Sequence, residues 1–572
     1  MSAIADLNQK LKLALIVCAS LMLNAFFLVI LRLHEKSYDA YTHMFFSAHY
    51  AKSWWNPWNP KWYGGFDQTS YPPLCHQTIA LFSFWFGVEN AYILVQLLAV
   101  GILTLGIYRF SLIWVPEETA RFATLLSIFL TSVAQCIYQF GQLPTIFSLG
   151  FLLNAAPFVL HWIREGRFRQ LFMALLHVSL VMTSHHLTFL LGAMFFLGPV
   201  IFKSILDTSH ADQNKRKVIV RAFFFIGLSG LLFVLLLYPF FYYLTHYAVT
   251  QREIPHVTRG NYFANLNSFL TFFLIPNSFL LPLIPFIAVG PSFKGRPLLV
   301  CFWAILFLLG LGGGATPVPK LLFGEMFYTL TFDRFCLWAT VLTLPLLATA
   351  FFRPPLEALR LFIVLTAIAA YLIVLYGISA AKFQPNPINL TRLVDFLNQK
   401  DYRNYRYLTL GFGSQMSRLG FLTDAPTIDG NYHTARMITE LRESGLESLD
   451  NAKYFPQGLQ VMAEILKRAE TFHLRFIFSN DPFYNDFLIQ QGWRVSKTFK
   501  DGLKIWTTDG ISPLMAAEMT EHAPVTFTFK HLLWGSYPVL YVLFALGLIG
   551  IPKPSNHKEI SSCTKDFSSR LS

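Results

Sequence analysis

An aspartate and a histidine stand four residues apart, as Asp39 and His43, in the polar segment that follows the first apolar run of the chain. On a helix, side chains at this spacing leave the same face one turn apart. A carboxylate and an imidazole held together in this way indicate a general base or a metal site. A structural alternative stays open for both residues, since Asp39 can instead cap or solvate the start of a helix.

Further polar and titratable residues fall near the ends of apolar runs. They are Tyr71, Gln142, His185, His186, Arg259, Asp333 and Arg334. Ionisable side chains at membrane depth are costly and are seldom kept there without a partner or a function. Their recurrence favours a binding site at one membrane face. Structural roles are the alternative, such as a helix end for His185 and His186 and an anchoring pair for Asp333 and Arg334.

The composition indicates a protein that crosses a membrane many times. Of the 572 residues, 54% are hydrophobic and 13% are charged, and apolar runs of about twenty residues, the length that spans a bilayer, recur along the chain. We predict about twelve transmembrane helices, near residues 11–31, 92–113, 120–137, 146–163, 170–184, 186–202, 219–244, 269–290, 298–314, 335–352, 360–380 and 531–551. The first run is too long for a cleavable signal peptide, so we expect it to persist as a helix.

The basic residues predict the orientation of the chain in the membrane. The formal net charge is +13, and the excess lies in short loops between apolar runs. This distribution is typical of cytoplasmic loops and does not indicate a nucleic-acid surface. If the short run 74–87 lies along the membrane surface, both termini are cytoplasmic. Asp39, Gln142, His185, Arg259 and Asp333 then share the outer face.

After residue 380, charges of both signs replace the long apolar runs up to residue 530. Strand-like segments alternate there with helical patterns, which predicts a small α/β domain with strands at Arg406–Leu410, Leu474–Ser479, Trp493–Phe499 and Leu503–Thr507. The predicted organisation is a transmembrane module over 1–380 with a reactive first outer loop over 33–91, an extracytoplasmic α/β domain over 381–530, a final transmembrane helix over 531–551 and a cytoplasmic tail over 552–572.

Four tryptophans, Trp54, Trp55, Trp58 and Trp62, crowd the first outer loop among prolines and glycines. Such a segment cannot continue as a regular helix. Amphipathic aromatic residues collect at the level of the lipid headgroups. We therefore expect this cluster to anchor the loop to the membrane surface, with stacking against a substrate as the alternative.

The layout resembles the GT-C superfamily of polytopic glycosyltransferases. The resemblance covers an N-terminal span, a first outer loop with Ser37-Tyr38-Asp39-Ala40-Tyr41-Thr42-His43, then Gly64-Gly65 and Tyr71-Pro72-Pro73-Leu74, multiple spans and a late outer domain. More narrowly, the chain resembles uncharacterised bacterial membrane proteins labelled 6-pyruvoyl-tetrahydropterin synthase-related, although it shows no soluble pterin-synthase domain and no zinc-histidine set. A bacterial inner membrane is the expected location.

The resemblance implies a mainly α-helical, GT-C-like membrane enzyme. Such an enzyme takes a hexosyl or pentosyl group from a polyprenyl-phosphate donor and passes it, with inversion, to a glycan, lipid or protein acceptor on the outer face. Asp39 occupies the place of the catalytic carboxylate of the superfamily. It would accept the acceptor's proton, with His43 as the second catalytic residue.

The remaining candidates would bind the substrate. The arginine fork matches phosphate oxygens, so Arg259 and Arg334 would meet the leaving phosphate. His185 and His186 would donate hydrogen bonds to it, and Gln142 would bind a sugar hydroxyl. The predicted substrate-binding set also includes Tyr71 and Asp333.

Cofactor use is left open by the resemblance. Many members of the superfamily carry paired acidic residues such as DxD or ExD, whereas Asp39 has no acidic neighbour at that spacing. A Mg²⁺ or Mn²⁺ ion is the cofactor to consider, with Asp39, His43 or His185 as its ligands.

Two other classes of protein share the same features. A transporter or flippase of a lipid-linked saccharide needs the aromatic loop and the basic groups but no base, and it tends to show inverted repeats and broken helices at the midplane. The chain shows no clear similarity between its halves, and its titratable groups gather at one face, which favours the enzyme. A non-catalytic protein of cell-envelope assembly is the third alternative.

The predicted orientation can be tested by cysteine labelling. Cysteines placed at Asn56, Gly260 and Asn431 should react with an impermeant thiol reagent from outside, because the basic loops lie on the other side. A cysteine at Asn214 should be protected, and the parent protein sets the background. Labelling at Asn214 together with protection at Gly260 would reverse the map.

Overall fold

The computed structural model describes residues 2–208, 212–248, 250–285, 296–352, 355–381, 383–399, 401–515 and 527–549. The protein is 70% helical. One large hydrophobic core fills the helices before residue 381 and also takes in the last helices, whereas two smaller cores surround the sheet of the later part. The predicted cytoplasmic tail, 552–572, lies outside the described residues.

Within the described ranges, seven helices are long and apolar enough to cross a membrane. They are Gln9–Ile30, Leu74–Ser111, Leu143–Glu165, Thr188–Asp207, Asn214–Leu236, Leu266–Leu283 and Leu356–Ala380. Two bent pairs, Glu117–Ser127 with Thr131–Phe140 and Phe529–Gly535 with Val539–Leu548, raise the number to 9 if each pair is one span. The prediction of a mainly α-helical, multi-pass membrane protein is confirmed, but about twelve spans are not reached among the described residues.

Three of the predicted spans do not appear among these helices, and each has a physical reason. Phe168–Ser184 has 17 residues and Pro297–Leu309 has 13, fewer than the roughly 20 that an upright helix needs to cross the hydrocarbon core. The third, Asp333–Ala350, begins with two charged residues, and almost its whole length is buried against other helices. Other short helices, Tyr238–His246 and Val318–Phe323, lie in the connections.

The predicted first outer loop contains a helix, Ala40–Lys52, which we call the first-loop helix. A two-stranded ribbon, β1 (Trp58–Asn59) and β2 (Phe66–Asp67), follows it. The first-loop helix packs against the long helix Leu74–Ser111, and its residues 40–47 are all buried. The loop is therefore enclosed by protein on this side and does not simply lie on the bilayer.

The long helix Leu74–Ser111 is interrupted at Gly87, where φ is +73°. Only glycine adopts this left-handed conformation without steric cost. The residues just before the break, Phe84, Trp85 and Phe86, are exposed. The break separates the short run 74–87 from the span that follows it.

The part after residue 381 contains a four-stranded sheet in the order β3-β4-β6-β5. Its strands are β3 (Arg406–Leu410), β4 (Leu474–Ser479), β5 (Arg494–Thr498) and β6 (Lys504–Thr507). β3 and β4 are parallel, and the other pairs are antiparallel. Between residues 383 and 515 its α-helices are Thr391–Leu397, Gln415–Leu422, Thr439–Ser444, Gly458–Lys467 and Asn485–Gln490. The four predicted strands are confirmed to within one residue at each end.

Trp62 joins the first outer loop to this α/β part. Its ring is fully buried and stacks on Phe45, with centroids 3.8 Å apart and planes 3° apart. Gly430 of the α/β part also approaches the ring, so closely that a Cβ atom there would lie 2.5 Å from it. The expectation of a membrane anchor is therefore wrong for Trp62, because protein buries its ring completely.

Candidate active site

Asp39 is held by a turn that precedes the helix Leu143–Glu165. The backbone N–H of Asp39 donates to the Phe140 carbonyl at 3.0 Å. Gly141 follows in the left-handed conformation, with φ at +73°, and a Cβ atom there would lie 2.7 Å from the backbone nitrogen of Ala40. Only a glycine lets the two turns come this close, so Gly141 sets the position at which the first-loop helix begins.

The carboxyl group of Asp39 is partly buried and faces two other acidic residues. Burial first, and then the negative charges of Glu447 and Asp333, raises the pKa of Asp39 to about 7. Asp333 begins the helix Asp333–Ala350, whereas Glu447 comes from the α/β part. A general base works best when its pKa lies near the operating pH. The surroundings therefore give Asp39 the proton affinity that such a base needs.

His43 lies one turn after Asp39 but its ring has a different partner. Nδ1 of His43 is 3.0 Å from Nε2 of His76. Burial lowers the pKa of His43 to about 3, so the ring is neutral at physiological pH. Sequence reasoning missed His76, which is the third residue of the helix Leu74–Ser111 and follows directly on the Tyr71-Pro72-Pro73-Leu74 segment.

Tyr71 lies between the first-loop helix and the histidine pair at residues 185 and 186. Its ring centroid is 6.4 Å from that of His43 and 6.2 Å from that of His185. Burial first, and then the charge of Arg334, lowers the pKa of His185 well below its usual value and that of His186 to about 4. Both imidazoles are therefore neutral neighbours of Arg334.

Arg334 is buried, with 9% of its surface exposed. Its Nη2 donates to Oγ1 of Thr331 at 2.9 Å, whereas Nε and Nη1 have no hydrogen-bond partner in the described part of the chain. An unpaired buried donor costs about 1–3 kcal/mol, and more when it is charged. Such groups call for a specific explanation, and an anionic ligand is the partner that a guanidinium prefers.

Gln142 connects the turn that holds Asp39 to the helix Asp333–Ala350, which carries Arg334. Its Nε2 donates to Oδ2 of Asp333 at 3.3 Å. Gln142, Asp333 and Arg334 line a cavity of ≈ 10 Å³, which is about the space that one water molecule needs. The cavity is therefore too small, as the structure stands, to hold a phosphate group.

Arg259 differs from Arg334 in how its donors are used. Nε donates to the Leu330 carbonyl at 3.0 Å, and Nη1 donates to the Ile254 carbonyl at 2.9 Å and to Glu253 at 3.2 Å. The guanidinium thus ties two loops together. Arg259 is less available to a phosphate than Arg334.

The predicted metal ligands do not converge. Among the residues that the structure describes, no group of three or more His, Cys, Asp and Glu side chains is arranged to hold a metal ion. Nδ1 of His43 is hydrogen-bonded to His76, and Nδ1 of His185 is hydrogen-bonded to Oγ1 of Thr188 at 2.8 Å. A Mg²⁺ or Mn²⁺ ion beside Asp39 would need ligands from water or substrate, and its use stays a prediction.

No family model and no curated protein matches the chain. Solved structures match it in three dimensions at low identity. The arabinofuranosyltransferase AftD from Mycobacteria gives a TM-score of 0.53 at 14% identity over 87% of this chain, which spans only 40% of AftD. The apo oligosaccharyltransferase of Archaeoglobus fulgidus gives 0.51 at 12% identity, over 82% of this chain and 69% of that one. Apo ArnT from Cupriavidus metallidurans gives 0.52 at 10% identity, over 88% and 98%.

These likenesses show the fold. The chain shares its fold with these three glycosyltransferases, so the broad resemblance drawn from the sequence is confirmed at the level of the fold. The narrower resemblance to proteins labelled 6-pyruvoyl-tetrahydropterin synthase-related receives no support.

The raised pKa of Asp39 predicts how stability depends on pH. Because folding raises this pKa from 3.8 to about 7, the folded state binds the proton more tightly than the unfolded state, and this contribution to stability is lost as pH rises through about 7. Asp39→Asn mimics the neutral carboxyl, so its melting temperature relative to the wild type should increase between about pH 5 and about pH 8.

Thermal unfolding of the purified proteins across this range measures the effect. Asp395→Asn, at an exposed position of the α/β part, is the matched control. A pH dependence of Asp39→Asn no larger than that of Asp395→Asn would contradict the raised pKa.

Proposed function

We propose that the protein is a membrane glycosyltransferase that moves a sugar, with inversion, from a polyprenyl-phosphate donor to a glycan, lipid or protein acceptor at the outer face of the membrane. The shared fold supports this proposal, because the matching structures include an oligosaccharyltransferase and an arabinofuranosyltransferase. The observation that carries it is the pairing in one site of a buried guanidinium with two unpaired donor atoms, Arg334, and a carboxyl group of pKa about 7, Asp39.

The phosphate is the part of the donor that Arg334 is suited to bind. Arg334 lies in the first turn of the 18-residue helix Asp333–Ala350. The N-terminal end of a helix carries a partial positive charge that favours anions. A phosphate at this position would accept hydrogen bonds from the unpaired Nε and Nη1, which removes the cost of leaving them buried and unpaired.

The proposed reaction needs one base and one stabiliser of negative charge. The acceptor nucleophile attacks the anomeric carbon, the bond from that carbon to the phosphate oxygen breaks, and the polyprenyl phosphate leaves with the electron pair. Asp39 takes the proton of the nucleophile, and Arg334 stabilises the phosphate. Tyr71 lies within electrostatic reach of both residues, so it is suited to contact the sugar between them.

The finer organisation belongs to the same proposal. It comprises about twelve membrane helices, a transmembrane module over 1–380, an extracytoplasmic α/β domain over 381–530 and two cytoplasmic termini in a bacterial inner membrane. The α/β domain would close the site from outside and supply Glu447 to the surroundings of Asp39. Gln142, His185, His186 and Asp333 would shape the donor site, and a Mg²⁺ or Mn²⁺ ion would screen the phosphate charge.

Binding of undecaprenyl phosphate tests the role of Arg334. Arg334→Gln should weaken binding to the full-length protein in nanodiscs by roughly 10- to 150-fold, because a hydrogen bond to a charged group contributes about 1.5–3 kcal/mol. Arg259→Gln is the matched control and should weaken binding much less, since its donors already have protein partners. Equal binding by the wild type and Arg334→Gln would move the phosphate elsewhere.

Sugar transfer tests the role of Asp39. Asp39→Asn keeps the shape of the side chain and removes the base, so transfer from a lipid-linked sugar should fall by about 10²–10⁴ while undecaprenyl phosphate still binds. The assay is run with and without Mg²⁺ or Mn²⁺. Full activity of Asp39→Asn would exclude this base, and movement of lipid-linked sugar across the bilayer without transfer by the wild type would favour a flippase.

A further inference from the structure

Three fully buried polar residues have side chains without hydrogen-bond partners. They are His34, Tyr92 and Gln96, which we call the buried polar cluster, and each is 0% exposed. Both ring nitrogens of His34, the hydroxyl of Tyr92 and both amide atoms of Gln96 lack a partner in the described part of the chain. A buried polar group that is left unpaired destabilises the fold, so these atoms call for a specific explanation.

The members of the buried polar cluster lie next to one another. The rings of His34 and Tyr92 are 5.9 Å apart between their centroids. Gln96 follows Tyr92 by one turn of the helix Leu74–Ser111, so their side chains leave the same face of that helix. The unpaired atoms therefore belong to one place in the interior.

The mixture of donors and acceptors in this place favours water as the ligand. Burial lowers the pKa of His34 to about 4, so its ring is neutral at physiological pH. A neutral imidazole, a hydroxyl and an amide each offer both a donor and an acceptor. A cation would use only the acceptors and an anion only the donors, whereas a buried water typically makes about three hydrogen bonds of both kinds.

The inner side of the cluster borders Asp39. The carbonyl of His34 accepts a hydrogen bond from Oγ of Ser37 at 2.8 Å. The same Oγ atom accepts from the backbone N–H of Ala40, the residue after Asp39, at 3.3 Å. Tyr92 is also within electrostatic reach of Asp39. Waters held by the cluster would therefore lie close to the proposed base.

The other side of the cluster borders a carboxylate that is open to solvent. Glu89 precedes Tyr92 by one turn of the same helix, and 28% of its side chain is exposed. Its oxygens pair with Arg418 at 2.8 Å and with Arg32 at 3.3 Å. His34 is within electrostatic reach of Glu89. The cluster thus lies between a partly buried carboxyl group and an exposed one.

We propose that the buried polar cluster holds water molecules, and that these waters carry a proton from Asp39 to Glu89 and on to solvent. The O–H bond of the protonated Asp39 carboxyl breaks, and its proton joins the nearest water. Each further water and the hydroxyl of Tyr92 accept one proton and release another, so one proton leaves and nothing else is consumed. That Asp39 takes this proton from an acceptor rests on the proposed function, whereas the water site does not.

X-ray hydroxyl-radical footprinting of the full-length protein in nanodiscs tests the water site. Radiolysis of an ordered water labels the side chain beside it, and mass spectrometry measures the label. Tyr92 should be labelled several-fold more strongly than Tyr138, which is also 0% exposed but whose hydroxyl donates to Oδ1 of Asn24. Equal labelling of the two tyrosines would overturn the water site.

A glutamine variant locates the waters. Gln96→Leu removes two of the unpaired atoms and should lower the labelling of Tyr92. Gln77→Leu is the matched control, since Gln77 is 0% exposed on the same helix and its Nε2 donates to the Trp534 carbonyl. An equal fall in both variants, or a fall in neither, would overturn the site. The wild-type comparison of Tyr92 with Tyr138 decides the matter if Gln96→Leu fails to fold.

Infrared spectroscopy tests the proton route without any substrate. The pKa of Asp39 is raised to about 7, so its carboxyl is protonated at about pH 5, and an Asp39→Asn difference spectrum assigns its C=O band. Exchange with D₂O shifts this band. After rapid mixing with D₂O, Tyr92→Phe should exchange roughly 2- to 12-fold more slowly than the wild type, because the route loses one hydrogen bond. An unchanged rate would overturn the route.

The end of the route has its own variant and control. Glu89→Gln should also slow the exchange, since it removes the last carboxylate. Glu117→Gln should not, because Glu117 is likewise paired with an arginine, Arg121 at 2.7 Å, but belongs to another helix. Equal rates in the two variants would remove Glu89 from the route and contradict the proposal.

The outcomes separate this inference from the proposed function. A wild-type protein that transfers no sugar would remove the proposed function, but labelling of Tyr92 and slow exchange in Tyr92→Phe would still establish the waters and the route. Sugar transfer by the wild type together with an unlabelled Tyr92 would keep the function and overturn the inference.

Discussion

The close approach of two turns at Gly141 is the constraint on which the rest of the site depends. On one side lies the start of the first-loop helix with Asp39, and on the other lies Gln142, which donates to Asp333 next to Arg334. A side chain at Gly141 would collide with the backbone of Ala40. One turn therefore connects Asp39, the proposed base, to Arg334, the proposed phosphate-binding residue. The hydrogen bonds from Asp39 to Phe140 and from Gln142 to Asp333 make this connection.

The charges of the site are arranged by burial more than by ion pairing. Burial keeps the imidazoles of His43, His185 and His186 neutral, so these rings provide shape and hydrogen bonds and leave positive charge to Arg334. The same desolvation disfavours the ionised form of Asp39. The proposed base, Asp39, and a buried cation with unpaired donors, Arg334, are suited to a reaction in which Asp39 accepts a proton and an anion leaves beside Arg334.

The α/β part contributes directly to this arrangement. It encloses Trp62 of the first outer loop through Gly430, and the hydroxyl of Tyr432 donates to the Ser70 carbonyl at 2.9 Å. These contacts hold the segment that leads into Tyr71 and His76. Through Glu447 the same part also raises the pKa of Asp39. The α/β part and the helical part therefore both contribute residues to the surroundings of Asp39.

The sequence by itself determined what depends on local patterns. Apolar runs predicted most of the helices, the length and residue types of four segments predicted the strands, and the position of Asp39 after the first apolar run predicted a place at the end of that span. Only the tertiary structure decided that His43 pairs with His76 and that Glu447 comes near Asp39. It alone also decided that Arg334 keeps unpaired donors, whereas the donors of Arg259 have protein partners, and that Trp62 is buried. The reason is physical: hydropathy and backbone preference act over a few neighbouring residues, whereas hydrogen-bond partners and pKa values depend on which distant segments exclude water from a side chain.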